Sequence, residues 1–119
     1  MKYTPIILAL SLLLTACSRH DAKLTKKISG TWNGDTNAVM AMSPDGGFSQ
    51  TLYNHGRPTV FEGTWQVTNN FLNFTITNEI QMEGKLNVPT HIVRRFEVVH
   101  VDDHQLVYGP KANTITLTR

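Results

Sequence analysis

Cysteine is nearly absent from this chain: of 119 residues, only Cys17 carries a thiol. One thiol closes no disulfide within the chain, so the fold rests on packing alone. Long hydrophobic runs are absent too. The apolar stretch from Ile6 to Leu14 follows Pro5 and is broken by Ser11, and it falls short of the roughly 18 residues a membrane-spanning helix needs. Charge of one sign is scarce: 11 basic residues face 9 acidic ones, a formal charge of +2. That balance argues against nucleic acid as a partner, because phosphate-backbone binding needs a basic stripe. No nucleophile motif, phosphate loop or zinc pattern occurs. The expectation is therefore a protein that is not an enzyme and has no cofactor.

What is present begins at the N-terminus. Met1-Lys2-Tyr3 is basic, Ile6 to Leu14 is apolar, and Thr15-Ala16 are small. That order is the order of a secretory signal peptide. The next residue is cysteine, and Leu14-Thr15-Ala16-Cys17 resembles the lipobox of bacterial lipoproteins at all four positions. The resemblance implies lipidation of the Cys17 sulfur, cleavage before Cys17, and acylation of the new N-terminus. Ser18 follows the cysteine. In enteric-type sorting an Asp there favours the inner membrane, so Ser implies an outer-membrane anchor facing the periplasm. The domain expectation is a leader over 1–16, a lipidated N-terminus and polar tether over 17–27 with room for one turn of helix near its end, and one small domain over 28–119. About a hundred residues bury only a modest core. Lys23, Lys26 and Lys27 cluster in the tether, where they would pass over anionic head groups as a solvated segment.

From Ile28 onward, Thr, Val, Ile and Phe alternate with turn residues at regular spacing. The pattern predicts strands over 28–33, 37–42, 48–54, 59–67, 71–77, 90–101, 105–109 and 114–119. Ser43-Pro44-Asp45-Gly46-Gly47, His55-Gly56-Arg57-Pro58, Thr68-Asn69-Asn70, Asp102-Asp103-His104 and Pro110-Lys111-Ala112-Asn113 supply turns. Leu72, Phe74 and Ile76 alternate with Asn73, Thr75 and Thr77, the clearest period of two in the chain. Residues 78–89 admit two readings. The fifth strand runs on to Met82 and returns after Glu83-Gly84-Lys85, or the segment is a loop at an open barrel end that stops at Pro89. About eight antiparallel strands with tight connections and no evident amphipathic helix predict an all-β, up-and-down barrel, which leaves no exposed edges.

Gly-Thr-Trp occurs twice, at Gly30-Thr31-Trp32 and Gly63-Thr64-Trp65. Two copies separated by strand text do not make a solenoid. Gly lets a strand bend or another backbone approach, and the Trp two residues later shares its face. Gly30-x-Trp32 resembles the lipocalin and calycin signature. In that group the Trp at the closed barrel end packs under a late Arg, and Arg119, in phase with Ile115 and Leu117, fits that place. The order of Gly-x-Trp, an Asp45-Gly46 turn, Gly63-Thr64-Trp65, an alternating strand and a terminal Arg is similar to small lipocalin-like domains of bacterial lipoproteins. The resemblance covers most of 28–119 and implies a lipocalin-like barrel. The chain lacks a Thr-Asp-Tyr turn motif and a helix after its last strand.

His100, Asp102 and His104 alternate, and Asp103 adds a carboxylate. These are weak candidate metal ligands, set against the stronger expectation of a capped surface turn. Arg95 and Glu97 share a face as an exposed pair, while one charge among Arg94, Arg95 and Glu97 is a candidate to point inward and orient an anion. Glu62 and Gln66 are expected to face solvent. The expected interior is Trp32, Phe48, Leu52, Phe61, Trp65, Leu72, Phe74, Ile76, Ile92, Phe96, Val98, Leu106, Tyr108, Ile115 and Leu117. Such large side chains would fill most of the lumen and leave a site near one mouth. The functional expectation is a membrane-anchored, non-catalytic binding module for a small apolar or amphipathic ligand or an envelope component. The alternative is a filled barrel that works through its outer surface.

Overall fold

Turn chemistry decides where this chain reverses. Asn69 and Asn70 hold φ of 51° and 67°, the left-handed pair that a two-residue hairpin matched to strand twist requires, and asparagine tolerates it better than most residues. Ser43 to Gly46 closes through Gly46 N–H donating to the Ser43 carbonyl at 3.0 Å, and the Asp45 carboxylate accepts from Gly47 N–H at 3.1 Å. The computed structural model describes residues 19–34, 38–54, 57–81 and 86–119. The expected leader and Cys17 lie outside the described residues, as do His55 and the turn expected at Glu83-Gly84-Lys85.

One short helix, α1, spans residues 19–28. Eight strands follow: β1 (Gly30–Asn33), β2 (Val39–Met42), β3 (Gly47–Asn54), β4 (Arg57–Thr68), β5 (Phe71–Gln81), β6 (Leu86–Val101), β7 (Gln105–Tyr108) and β8 (Ile115–Thr118). They form one closed antiparallel barrel in up-and-down order. Seven neighbouring pairs are hairpins. The eighth, β1 with β8, is a single rung between Asn33 and Thr118.

Two expectations change. Residues 17–27 are not simply a tether, and Ile28 does not open the first strand, because residues 19–28 are helical. Leu24 and Ile28 stand four apart, hence on one helix face. Both are buried against the barrel, and that packing stabilises a helix too short to persist alone. Between the two readings of 78–89 the hairpin prevails: Gln81 pairs with Leu86, and β6 runs through Pro89. Pro89 is tolerated there because, among the described residues, no strand pairs with Leu86–Phe96 on the side away from β5, so the missing N–H costs no ladder bond.

The core is the inner face of the barrel. Phe74 lies 4.7 Å from Phe48, 6.1 Å from Phe96 and 6.3 Å from Tyr108, centroid to centroid. Tilted and edge contacts of this kind suit aromatic quadrupoles. Most of the expected interior is buried or packed against the core. Leu52 and Ile115 are the exceptions: neither joins the core cluster, and Ile115 is 43% exposed. It shares the inner face with Leu117, but it lies beyond the single β1–β8 rung, so β1 does not cover it. Met40, Met42 and Val67 are buried as well.

Candidate functional site

An up-and-down barrel sorts its turns to two ends. The 43–46, 69–70 and 102–104 turns lie at one end, the base, together with α1. The connections after β1, β3, β5 and β7 lie at the other, the mouth. The indole of Trp32 is fully buried at the base, where its Nε1 donates to the Ile28 carbonyl at 2.7 Å. The Arg119 guanidinium carbon lies 3.9 Å from the Trp32 ring centroid. Its nitrogens donate to three carbonyls, those of Asp103 at 3.0 Å, Ser29 at 2.8 Å and Lys27 at 2.9 Å. Gly30 holds φ of 128° at this point, and a Cβ there would press on the Arg119 guanidinium. The base is thus shut by helix, indole and guanidinium together.

The second Gly-Thr-Trp does different work. Gly63 sits where the β4–β5 register shifts, opposite Ile76. A Cβ at Gly63 would run into the Thr75 carbonyl, so the close backbone approach requires glycine. Two residues on, Trp65 is buried, and its Nε1 donates to the Ser43 carbonyl at 2.8 Å. Gly63 therefore bends the wall, and Trp65 ties the bend to the 43–46 turn.

The mouth follows from strand lengths. β1, β2, β7 and β8 have 4 residues each, whereas β3, β4, β5 and β6 have 8, 12, 11 and 16. Four consecutive long strands therefore rise past four short ones as an open trough. Directly opposite residues in an antiparallel pair share a face. Counting along the register puts Leu52, Thr59, Phe61, Glu79, Gln81, Leu86, Val88 and Ile92 on the inner face of that trough. Phe61 and Ile92 pack against the core, whereas Leu86 and Val88 are 52% and 37% exposed. Register also settles the paired arginines. Arg94, opposite buried Phe74, belongs to the inner face and is exposed. Arg95 and Glu97 belong to the outer face, and Arg95 lies 4.0 Å over the Phe71 ring. An open groove of about 360 Å³ beside the β4–β5 register shift is lined largely by outward residues such as Ser49, Glu62 and Thr77.

His100, Asp102 and His104 form a capped turn. His100 Nε2 lies 2.8 Å from one Asp102 oxygen, and the His104 and Gln105 N–H groups donate to the other at 2.8 Å. The His100 hydrogen bond, together with these backbone donors, holds the Asp102 carboxyl at a pKa of about 2, against an ordinary 3.8. Among the described residues, no three His, Cys, Asp or Glu side chains are grouped to hold a metal. Glu62 and Gln66 are exposed on the outer wall, and His20 and His91 are exposed on α1 and β6.

Sequence reasoning missed the base plug of Leu24 and Ile28. Its signal was their spacing of four inside a basic segment, one helical stripe too short to stand out. It also missed the trough, because strand length decides which inner faces are covered, and the lengths of β5 and β6 hung on the two readings of 78–89. No family profile, curated protein or solved structure matches this chain.

Proposed function

We propose that this protein is a bacterial envelope lipoprotein, anchored through acyl chains on Cys17 and probing the periplasm from the outer membrane. Its lipocalin-like barrel acts as a non-catalytic binding module. The ligand is a small apolar or amphipathic molecule, or an apolar segment of an envelope component, seated in the trough. The observation that carries this reading is the inner face that continues past the filled core, where exposed Leu86 and Val88 and half-buried Phe61 and Ile92 are interleaved with Glu79 and Gln81 of β5. Apolar side chains set among a few polar groups on an open concave wall suit a ligand with both kinds of surface. Arg94, on the same face, supplies a positive group at one side of the trough.

Native mass spectrometry of residues 18–119, purified gently from the periplasm, tests the reading. A discrete added mass lost on denaturation supports it, provided the mass falls away in Val88→Asp. A bare mass in repeated preparations favours a filled barrel that works through its outer surface, for which the packed ring cluster of Phe48, Phe74, Phe96 and Tyr108 is the supporting observation. The mass of the mature full-length product separately tests lipidation of Cys17.

A further inference from the structure

The outer face of α1 carries one sign of charge. Leu24 and Ile28 turn inward, and Asp21 is turned to the wall, where its carboxylate accepts from Asn69 N–H at 3.3 Å. Arg19, Lys23, Lys26 and Lys27 all face solvent. Arg19, Lys23 and Lys27 are spaced by four, and Lys26 lies beside them, so the four form one patch. Among the described residues none of the four meets a carboxylate. The other acids at the base, Asp45, Asp102 and Asp103, sit on the turns around the helix, not on its outer face, and Asp102 is already paired with His100.

We propose that this face docks the closed base of the barrel onto an anionic phospholipid surface, so that the trough opens away from the membrane. Charge complementarity is the first support: cations close to an anionic leaflet are attracted to it, and the attraction fades within a Debye length. Chain length is the second, and it rests on the lipidation reading above. Only Ser18 separates Cys17 from α1, and two peptide steps span at most about 7 Å. Acyl chains on Cys17 therefore hold the start of α1 at the head groups. A flexible tether would let the barrel tumble, whereas a helix whose inner face is part of the core fixes one orientation. The amphipathic helix of this protein is turned inside out relative to an inserting one: its apolar face is buried in its own barrel, and only its cations are offered to lipid.

The test uses residues 18–119 without lipid, so that it does not depend on Cys17. The buried apolar side chains described here all lie between Leu24 and Leu117, so this fragment keeps its core. Sedimentation with vesicles of phosphatidylcholine and phosphatidylglycerol is compared with vesicles of phosphatidylcholine alone. We expect binding only to the mixed vesicles. We expect about a fivefold loss of partitioning for each cation removed, hence about a hundredfold loss in the triple variant K23Q/K26Q/K27Q. Salt at about 1 M, where the Debye length is about 3 Å, abolishes it. Lys111→Gln, which removes a cation from the β7–β8 connection at the mouth, leaves it unchanged, whereas Lys23→Gln alone lowers it about fivefold. Equal binding to both vesicle types, or an equal loss in Lys111→Gln, overturns the proposal. Because glutamine suits an exposed helix, circular dichroism of the triple variant should match that of the parent. If Cys17 proves unlipidated while the fragment still selects anionic vesicles, the docking face stands and the anchor does not.

Discussion

Arg119 lies 3.9 Å over the ring of Trp32 while its three nitrogens reach three separate carbonyls of the base. The same side chain thus binds the end of α1, the entry to β1 and the β6–β7 turn. It joins segments that are far apart in sequence across the place where the barrel wall is held by one rung.

Replacement of Arg119 should therefore cost more than an exposed residue usually does. Arg119→Ala loses the ring contact and three charge-assisted bonds, and should destabilise by about 1–3 kcal/mol. Arg119→Lys keeps the charge without the planar fork and should recover less than half of that. Urea unfolding of the three proteins gives both numbers, and full rescue by lysine would reduce the contact to simple charge.

Gly63→Ala should be among the most harmful small substitutions in the chain. The added methyl meets backbone, the Thr75 carbonyl, which cannot turn aside as a side chain can. Overpacking against backbone costs about 3 kcal/mol or more. Gly34→Ala is the milder comparison, because the nearest atom there is the Ala38 methyl at 3.3 Å, a squeeze that a shift of a few tenths of an ångström relieves. Thermal midpoints of the two variants should separate by well over ten degrees, at roughly 4–8 °C per kcal/mol in a domain of this size.

Ile28→Ala measures what the helical plug contributes to the barrel. A fully buried side chain should lose about 2–4 kcal/mol, from transfer and from the cavity left behind. Equilibrium unfolding measures it, with exposed Lys26→Ala as the neutral reference.

Acid and base should each remove one contribution. The Asp102 carboxyl is lowered to about 2, so its contribution is present above the ordinary 3.8 and is lost as pH falls from there toward 2. Tyr108 is moved the other way, to about 12 from 10, because burial disfavours the phenolate. Its contribution is complete below pH 10 and is lost as pH rises toward 12. Carbon NMR of the Asp102 carboxyl should titrate near 2 and move up in His100→Ala. Ultraviolet titration should show a tyrosine step near pH 12 that disappears in Tyr108→Phe.

The strands were legible where one face is wet and the other dry. Leu72, Phe74 and Ile76 alternate with polar neighbours, and β5 is where they place it. The Asn69-Asn70 turn was legible because few other pairs accept two left-handed residues. The contact of Trp32 with Arg119 is the one that the lipocalin resemblance implied, and the shared phase of Leu117 and Arg119 only named the candidate. What escaped was decided by neighbours distant in the chain. Ile115 has the right phase and stays exposed because β1 stops short of it. α1 has weak intrinsic stability and forms on the barrel base. Arg94 is in phase with the expected interior residues Ile92 and Phe96, and the pairing of Phe74 with Arg94 places it on the inner face.

The single rung between Asn33 and Thr118 has a kinetic consequence. Every other strand pair joins neighbours through a short connection, so each hairpin can form as soon as its own residues are free. Closure alone must bring the first strand to the last, and it is repaid by one rung and the Arg119 bonds around it. Loop entropy is spent before those contacts return it. The meander should therefore assemble early as a curved ribbon and wait, with its two short edges apart, for a late, concerted closing step. Thermal breathing of the finished barrel should start at that same join.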